Sequence, residues 1–270
     1  MGVHVGKKTI NGKVSPVYSF VFHVDAKLVS PNKKIPPYLF LATGQRREKV
    51  PTDVIEAGKL ELQGIKLGET TKNLNAALTG TISLYFEGSN GTYLGSNMHV
   101  LASKLLNNGQ RYYDSRKDNN RQNIEFYDDF IGSTARLFVS RFDGIDFGFA
   151  RVDNPALPEN ALKGNGVVKG YISLNNGNYR LYKMLFSGIT SGPARKCTIT
   201  ELGAVKDTHF KNIFLTNLIK LNRCTDHGDS GAPLYDTEGR IAGVMVGFDK
   251  DASYALHIDD IIQFFQSSKL

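Results

Sequence analysis

The sequence predicts an all-β protein: many short strands wrapped into a barrel or sandwich, a small β-rich extension before them, and one short helix at the end. Three observations carry that class. Apolar runs rich in Val, Ile, Tyr, Phe and Thr recur from residue 78 onward, each bounded by Gly, Asn, Asp or Ser. Glycine is abundant at 27 residues, and the long Ala/Leu/Glu tracts that favour helices are missing. Only "IDDIIQFFQSS" changes period, with Ile261, Ile262, Phe264 and Phe265 at helical spacing.

At 270 residues, one large β unit with an appendage fits as well as two equal domains. An apolar share of 41% supports a sizeable core and excludes global disorder. The formal charge of +7 raises the question of nucleic acid. The basic residues are scattered through "GKK", "NKK", "QRREK" and "RKDNNR", with no long run and no interleaving with aromatics. A solvated basic surface is therefore expected, and nucleic acid is not an expected partner.

Two cysteines, Cys197 and Cys224, make neither a metal spacing nor a disulfide framework, and their scarcity favours a reducing compartment. The start, "MGVHVGKKTINGKV", offers no apolar stretch for a signal peptide, and Gly6 stands where myristoylation needs Ser or Thr. No apolar run approaches a membrane span. The expectation is a soluble cytoplasmic protein with no membrane partner, metal or cofactor.

Residues 1–70 are read as an N-terminal extension and 71–270 as the main domain. In the extension, "VYSFVFHVDAK" is a strand, "PNKKIPPYLF" a Pro-broken connection and "VPTDVIEAGKLEL" a second extended stretch. The polar "GETTKNLNA" (68–76) reads as a linker or entry loop. Next, "TGTISLYFEG", the turn "SNG" and "TYLGSNMHVLA" form a hairpin. Further strands are "STARLFVSRF", "DFGFARVD", "GVVKGYISL", "YRLYKMLFSGIT", "KCTITELGAV", "IFLTNLIKL", "GRIAGVMVGF" and "SYALHI". Asp259 is the expected N-cap of the closing helix, about 259–268.

The stretch "TDHGDSGAPLYDTEGRIAGVMVG" packs Gly228, Asp229, Gly231, Ala232 and Pro233 around Ser230. Such small residues do not fill a core; they allow close backbone approach and unusual backbone angles. A serine hydroxyl needs a base within hydrogen-bond reach to act as a nucleophile. Among six histidines, His99 stands out near the end of a strand, between small and apolar residues. An imidazole base needs an acceptor to fix its tautomer. Asp146, at the start of an alternating strand, fits better by register than Asp143, and a turn-capping role suits either. His227 lines the cleft or sits on an exposed loop, while His257 reads as surface and Cys224 as a small buried apolar residue.

In the order His99, Asp146, Ser230, the motifs "SNMHVLA", "IDFGFARV" and "GDSGAPLYDTEGRIAGVMVG" resemble those of the trypsin-like, chymotrypsin-fold serine proteases, over roughly residues 78–265. "GDSGAP" is the specific element. The leading segment is similar to that of some bacterial trypsin-like peptidases. The resemblance implies two packed six-stranded antiparallel β-barrels, at about 78–160 and 165–258. It implies a serine endopeptidase acting on a protein or peptide. Ser230 is then the nucleophile, His99 the general base and Asp146 its orienting partner. The N–H groups of Gly228 and Ser230 form the oxyanion hole, and Cys224, Thr225, Val246 and Gly247 line the primary pocket.

The chain also departs from that pattern. "SNMHV" lacks the alanine-rich, cysteine-containing histidine motif of many secreted members. In those members the aspartate before the serine pairs with a terminus freed by cleavage. For Asp229 the sequence leaves open another partner, a constitutively formed site or a different activation. Cys224 stands where basic-residue specificity would need an acid, with Asp226 nearby to compensate, so the preference stays open. A peptide-binding scaffold that does not cut is the alternative function. Residues 1–70 are expected to regulate the domain or recruit it to a larger assembly.

Overall fold

The turn-bounded apolar runs become strands over most of the chain in this computed structural model, which describes residues 2–10, 13–24, 35–43, 46–56, 65–74, 78–102, 111–117, 122–127, 132–154, 156, 158–207 and 214–270. The chain divides into two units, Met1–Leu62 and Gln63–Leu270.

The first unit holds β1 (Gly2–Ile10), β2 (Lys13–Val24), β3 (Tyr38–Thr43) and β4 (Arg46–Glu56), ordered β1-β2-β4-β3. β1 and β3 pair antiparallel with their neighbours, whereas β2 and β4 run parallel, Phe20 opposite Thr52. The strands expected from "VYSFVFHVDAK" and "VPTDVIEAGKLEL" match β2 and β4, while 38–40 of the expected Pro-broken connection open β3 instead; residues 25–27, 31–34 and 57–62 of these stretches lie outside the described residues.

In the second unit come β5 (Ile65–Leu67), β6 (Thr70–Asn73), β7 (Thr79–Thr81), β8 (Leu84–Gly88), β9 (Gly91–Ser96), α1 (Met98–Leu101), β10 (Tyr112–Asp114), β11 (Asn123–Tyr127), β12 (Gly132–Asp143) and β13 (Ile145–Val152). They are followed by β14 (Pro158–Leu162), β15 (Gly166–Val167), β16 (Met184–Gly188), β17 (Gly192–Cys197), β18 (Ile199–Asp207), β19 (Phe214–Asn222), β20 (Pro233–Asp236), β21 (Ile241–Phe248), β22 (Ala252–His257) and α2 (Ile258–Ser267).

Two large antiparallel sheets form the barrel-like halves. One is ordered β7-β6-β11-β12-β13-β9-β8 with β10 on β12, the other β17-β16-β20-β21-β22-β19-β18. A small sheet, β15-β14-β5, carries the parallel strand pair β14–β5, and isolated parallel bridges join Gly144 to Leu215 and Tyr171 to Ile241.

The core explains why β13 is apolar along its length. Ile145 to Ala150 are all buried, because β13 is covered on both faces. Phe147 and Phe149 meet the β8 residue Phe86 edge-on, at 6.5 and 5.2 Å between ring centres. Phe264 and Phe265 of α2 close over Phe149, each at 5.2 Å. The amphipathic period of the last segment thus buries an aromatic face on the first sheet. A second apolar cluster fills the other half, with Met184, Phe186, Leu221, Leu234 and Met245.

Several expectations are corrected. Within the segment 68–76, the described residues 68–74 are not a linker, since β6 pairs with β7 and β11 inside the sheet. It reads as polar because its buried side chains are satisfied: Thr71 Oγ1 donates to the Glu125 carbonyl at 3.0 Å, and Asn73 Nδ2 to the Leu101 carbonyl at 2.6 Å. "YISL" (171–174) forms no strand beyond a single bridge from Tyr171 to Ile241, and Tyr179–Leu181 makes a 3₁₀ turn. α2 begins one residue earlier than expected, with His257 at the N-cap. Asp259 instead accepts a hydrogen bond from Ser173 Oγ at 2.7 Å. His257, expected at the surface, is buried, and burial holds its pKa below the ordinary imidazole value.

Candidate active site

Register brings the histidine and the aspartate together. β13 pairs antiparallel with β9, Gly148 opposite Ser96. Asp146 lies two residues before that pair and His99 three residues after it, so both emerge at the same end of the ladder. His99 is not on the strand itself, as expected from the sequence, but on the one-turn α1 that follows β9. This turn aims its backbone N–H at Asp146 Oδ1, 3.0 Å away, while Nδ1 of the ring meets Oδ2 at 2.5 Å. Asn97 anchors the same corner from Nδ2 to the Asp146 carbonyl at 3.0 Å.

Asp146 is 1% exposed. Burial pulls the His99 pKa down, but the charge of Asp146 and its hydrogen bond together outweigh it, leaving the imidazole above its ordinary value. The rival, Asp143, is exposed and pairs with Arg111 at 3.7 Å.

The serine turn reaches the same place from the second sheet. The Ser230 carbonyl accepts the Thr81 N–H at 2.8 Å, and Ser96 Oγ donates to the Thr81 carbonyl at 2.7 Å. A Cβ on Gly80 would stand 2.5 Å from a methyl of Val100, the residue after His99, and 2.8 Å from the Ser230 carbonyl. The gap at Gly80 therefore spans the two halves of the site. Gly231 has φ +94°, and a Cβ there would strike the Thr81 carbonyl and Ser96 Oγ, so only glycine fits after Ser230. The half-buried Ser230 hydroxyl donates at 3.4 Å to the Val246 carbonyl and not to His99.

Gly228 has φ +100°. The carbonyl of His227 accepts Thr190 Oγ1 at 2.6 Å, and the peptide bonds are all trans among the described residues, so the N–H of Gly228 points the opposite way. Among the described residues, neither that N–H nor the one of Ser230 has an acceptor within the chain. Two free donors in one turn are what a developing negative charge requires.

Asp229 supports this turn from beneath, 1% exposed. Its Oδ1 accepts the N–H groups of Thr190 and Ser191, both at 3.0 Å. Its Oδ2 accepts Ser191 Oγ at 2.5 Å and the Asp226 N–H at 2.9 Å. Of the alternatives left open by the sequence, the structure supplies another partner, the turn between β16 and β17.

The four residues expected at the primary pocket differ in setting. Thr225 is buried, its Oγ1 2.9 Å from Ser253 Oγ. Val246 is buried, and Cys224 is half-buried against the second core. Gly247 has nothing within 4 Å of where a Cβ would stand, so open space adjoins it. Asp226 is exposed and pairs with Arg223 at 3.0 Å, and Arg223 lies 3.6 Å over the Phe248 ring. His227, also exposed, meets Phe248 edge-on at 5.0 Å. Asp226, the acid near the expected pocket position, therefore stands at the surface with its charge paired.

Sequence reasoning missed Thr81, Thr190 and Ser191. The signal for the last two was "SGITSG", a turn of small and hydroxyl residues between two strands. Among the described residues no three metal-ligating side chains converge, and no helix is long and apolar enough to cross a membrane.

No family model and no curated protein matches the chain. Solved structures do. Protease A of Thermobifida fusca is 19% identical, with 75% of this chain and 96% of that one covered at a TM-score of 0.55. The Nocardiopsis protease is 14% identical, with 75% and 97% covered at 0.56. The chymotrypsin of Cellulomonas bogoriensis is 18% identical, with 75% and 96% covered at 0.51. The chain has the chymotrypsin fold. Within that fold, the His99–Asp146 pair stands on the first sheet and the Ser230 turn leads into the second.

Proposed function

We propose that the chain is a serine endopeptidase. One observation carries the reading: a histidine fixed by a buried carboxylate adjoins Val100, which faces across Gly80 a serine turn whose Gly228 and Ser230 N–H groups are unpaired. Ser230 Oγ attacks the scissile carbonyl and His99 takes its proton. The oxyanion forms against the two N–H groups, and His99 then protonates the leaving amine. Water releases the acyl group by the same steps reversed. Asp146 keeps the Nδ1–H tautomer and stabilises the imidazolium. The chymotrypsin fold of the protease structures supports the reading.

A second reading, a peptide-holding scaffold, rests on the Ser230 hydroxyl bonding Val246 instead of His99. Labelling of the purified full-length chain with a fluorophosphonate, beside Ser230→Ala, decides between them. Serine-dependent labelling is expected; a folded protein that resists the probe as fully as Ser230→Ala overturns the endopeptidase reading.

A further inference from the structure

Two cysteines come together in one apolar cluster beyond the β18–β19 ladder. Ile199 of β18 pairs with Leu221 of β19. One step outward, the Asn222 N–H donates to the Thr198 carbonyl at 3.0 Å, and the Thr198 N–H to Asn222 Oδ1 at 2.6 Å. The next residues along this doubly clamped ladder are Cys197 on one side and the Arg223–Cys224 segment on the other. Continuing this register sets Cys197 opposite Arg223, with Cys224 the next residue along. Both side chains enter one apolar cluster with Ile199 and Leu221, Cys197 buried and Cys224 half-buried. Both are free thiols.

We propose that Cys197 and Cys224 are a redox pair that closes reversibly into an intramolecular disulfide.

The two thiols are not equivalent. Cys197 interacts directly with Cys224, and that contact lowers the Cys224 pKa, with Ser253 and the Arg223 guanidinium lowering it further. The same contact, together with burial, pushes Cys197 up. The Cys224 main chain is also held, its N–H donating to Ser253 Oγ at 3.0 Å. Cys224 is thus the more acidic thiol and the one nearer solvent, and Cys197 the protected second thiol, the division of labour that thiol–disulfide exchange needs.

The oxidant is a low-molecular-weight disulfide such as glutathione disulfide. Cys224 thiolate attacks one of its sulfurs, the S–S bond breaks and one small thiolate leaves. Cys197 then loses its proton to solvent and attacks the Cys224 sulfur, expelling the second small thiolate. The protein pair gives up two electrons and the small disulfide is reduced to two thiols. The new bond would tie the end of β17 to the segment that leads through Thr225 into the Ser230 turn.

The test needs no peptidase activity, so its outcome is separate from that of the proposed function. The native full-length chain is equilibrated in glutathione redox buffers, quenched in acid, alkylated and mapped by mass spectrometry. The expected result is joint loss of both alkylatable thiols, a mass decrease of about 2 Da, a Cys197–Cys224 linked peptide, and full recovery on reduction. In Cys197→Ser the expected product is a stable glutathione adduct on Cys224. Both thiols remaining alkylatable in excess oxidised glutathione would overturn the proposal. So would an adduct on Cys224 alone, or a disulfide between two chains, in the native protein.

Discussion

Thr81 holds the serine turn at its first glycine: its Oγ1 donates to the Gly228 carbonyl at 2.9 Å. The Thr81 N–H meanwhile donates to the Ser230 carbonyl, so one residue of the first sheet fixes both ends of the three-residue segment that carries the candidate nucleophile. Thr81→Val keeps the shape and removes the hydroxyl. Leaving a half-buried carbonyl without its donor costs about 1–3 kcal/mol. We expect a lower denaturant midpoint and slower fluorophosphonate labelling. Unchanged labelling would show that the Gly228 carbonyl does not help set the turn.

Asp146→Asn tests the imidazole. The amide cannot hold the Nδ1–H tautomer as the carboxylate does, and labelling should slow by about 10⁴-fold. The pH profile is the sharper readout. Only neutral His99 accepts the serine proton, so labelling should rise with pH through a midpoint above the ordinary imidazole value. Without the Asp146 charge, burial alone acts on His99 and the midpoint moves down. A midpoint that stays in place in the variant would mean that Asp146 is not what raises His99.

Two glycines of the turn should fail differently. Gly231→Ala places a Cβ into the Thr81 carbonyl and Ser96 Oγ at a φ of +94°, a conflict between the two sheets. We expect loss of folding, read as a collapsed thermal transition. Gly228→Ala meets Thr190 Oγ1, a side-chain atom, at 2.5 Å and φ +100°. The fold should survive while the Gly228 N–H swings out of line. Loss of one such donor lowers the rate by about 10²–10³. Equal labelling by Gly228→Ala and the native chain would remove Gly228 from the oxyanion site.

Phe149→Ala tests the aromatic seam between the first sheet and α2. Phe149 is fully buried and touches Phe86, Phe147, Phe264 and Phe265. The cavity should cost about 3–5 kcal/mol, measured by urea denaturation. A loss below about 1 kcal/mol would show that α2 collapses into the gap.

Some of this architecture was legible in the sequence, for reasons that particular residues make plain. Ser230 announced itself because its neighbours must be small, and the close approaches at Gly228 and Gly231 give the reason. His99 and Asp146 were legible as a pair, yet the helical turn carrying His99 was not, since four residues leave no period to read. β6 reads as a linker because its buried polar side chains are bonded, and composition cannot separate a satisfied polar strand from a loop. His257 shows the converse: a polar residue at a strand end reads as exposed, yet this one is buried at the N-cap of α2. Cys197 and Cys224 stand far apart in sequence, and only the β18–β19 ladder brings them together.

The cradle around Asp229 has a bearing on timing. All four of its bonds come from Thr190, Ser191 and Asp226, residues of the same half of the molecule. A turn braced in this way needs only Thr81 of the first sheet to complete it, so it takes its working shape once the two halves have folded together, with no freed terminus among the bonds of Asp229. Restraint of such a centre would then fall to whatever controls entry to the cleft, because its construction leaves no pause in which to hold it back.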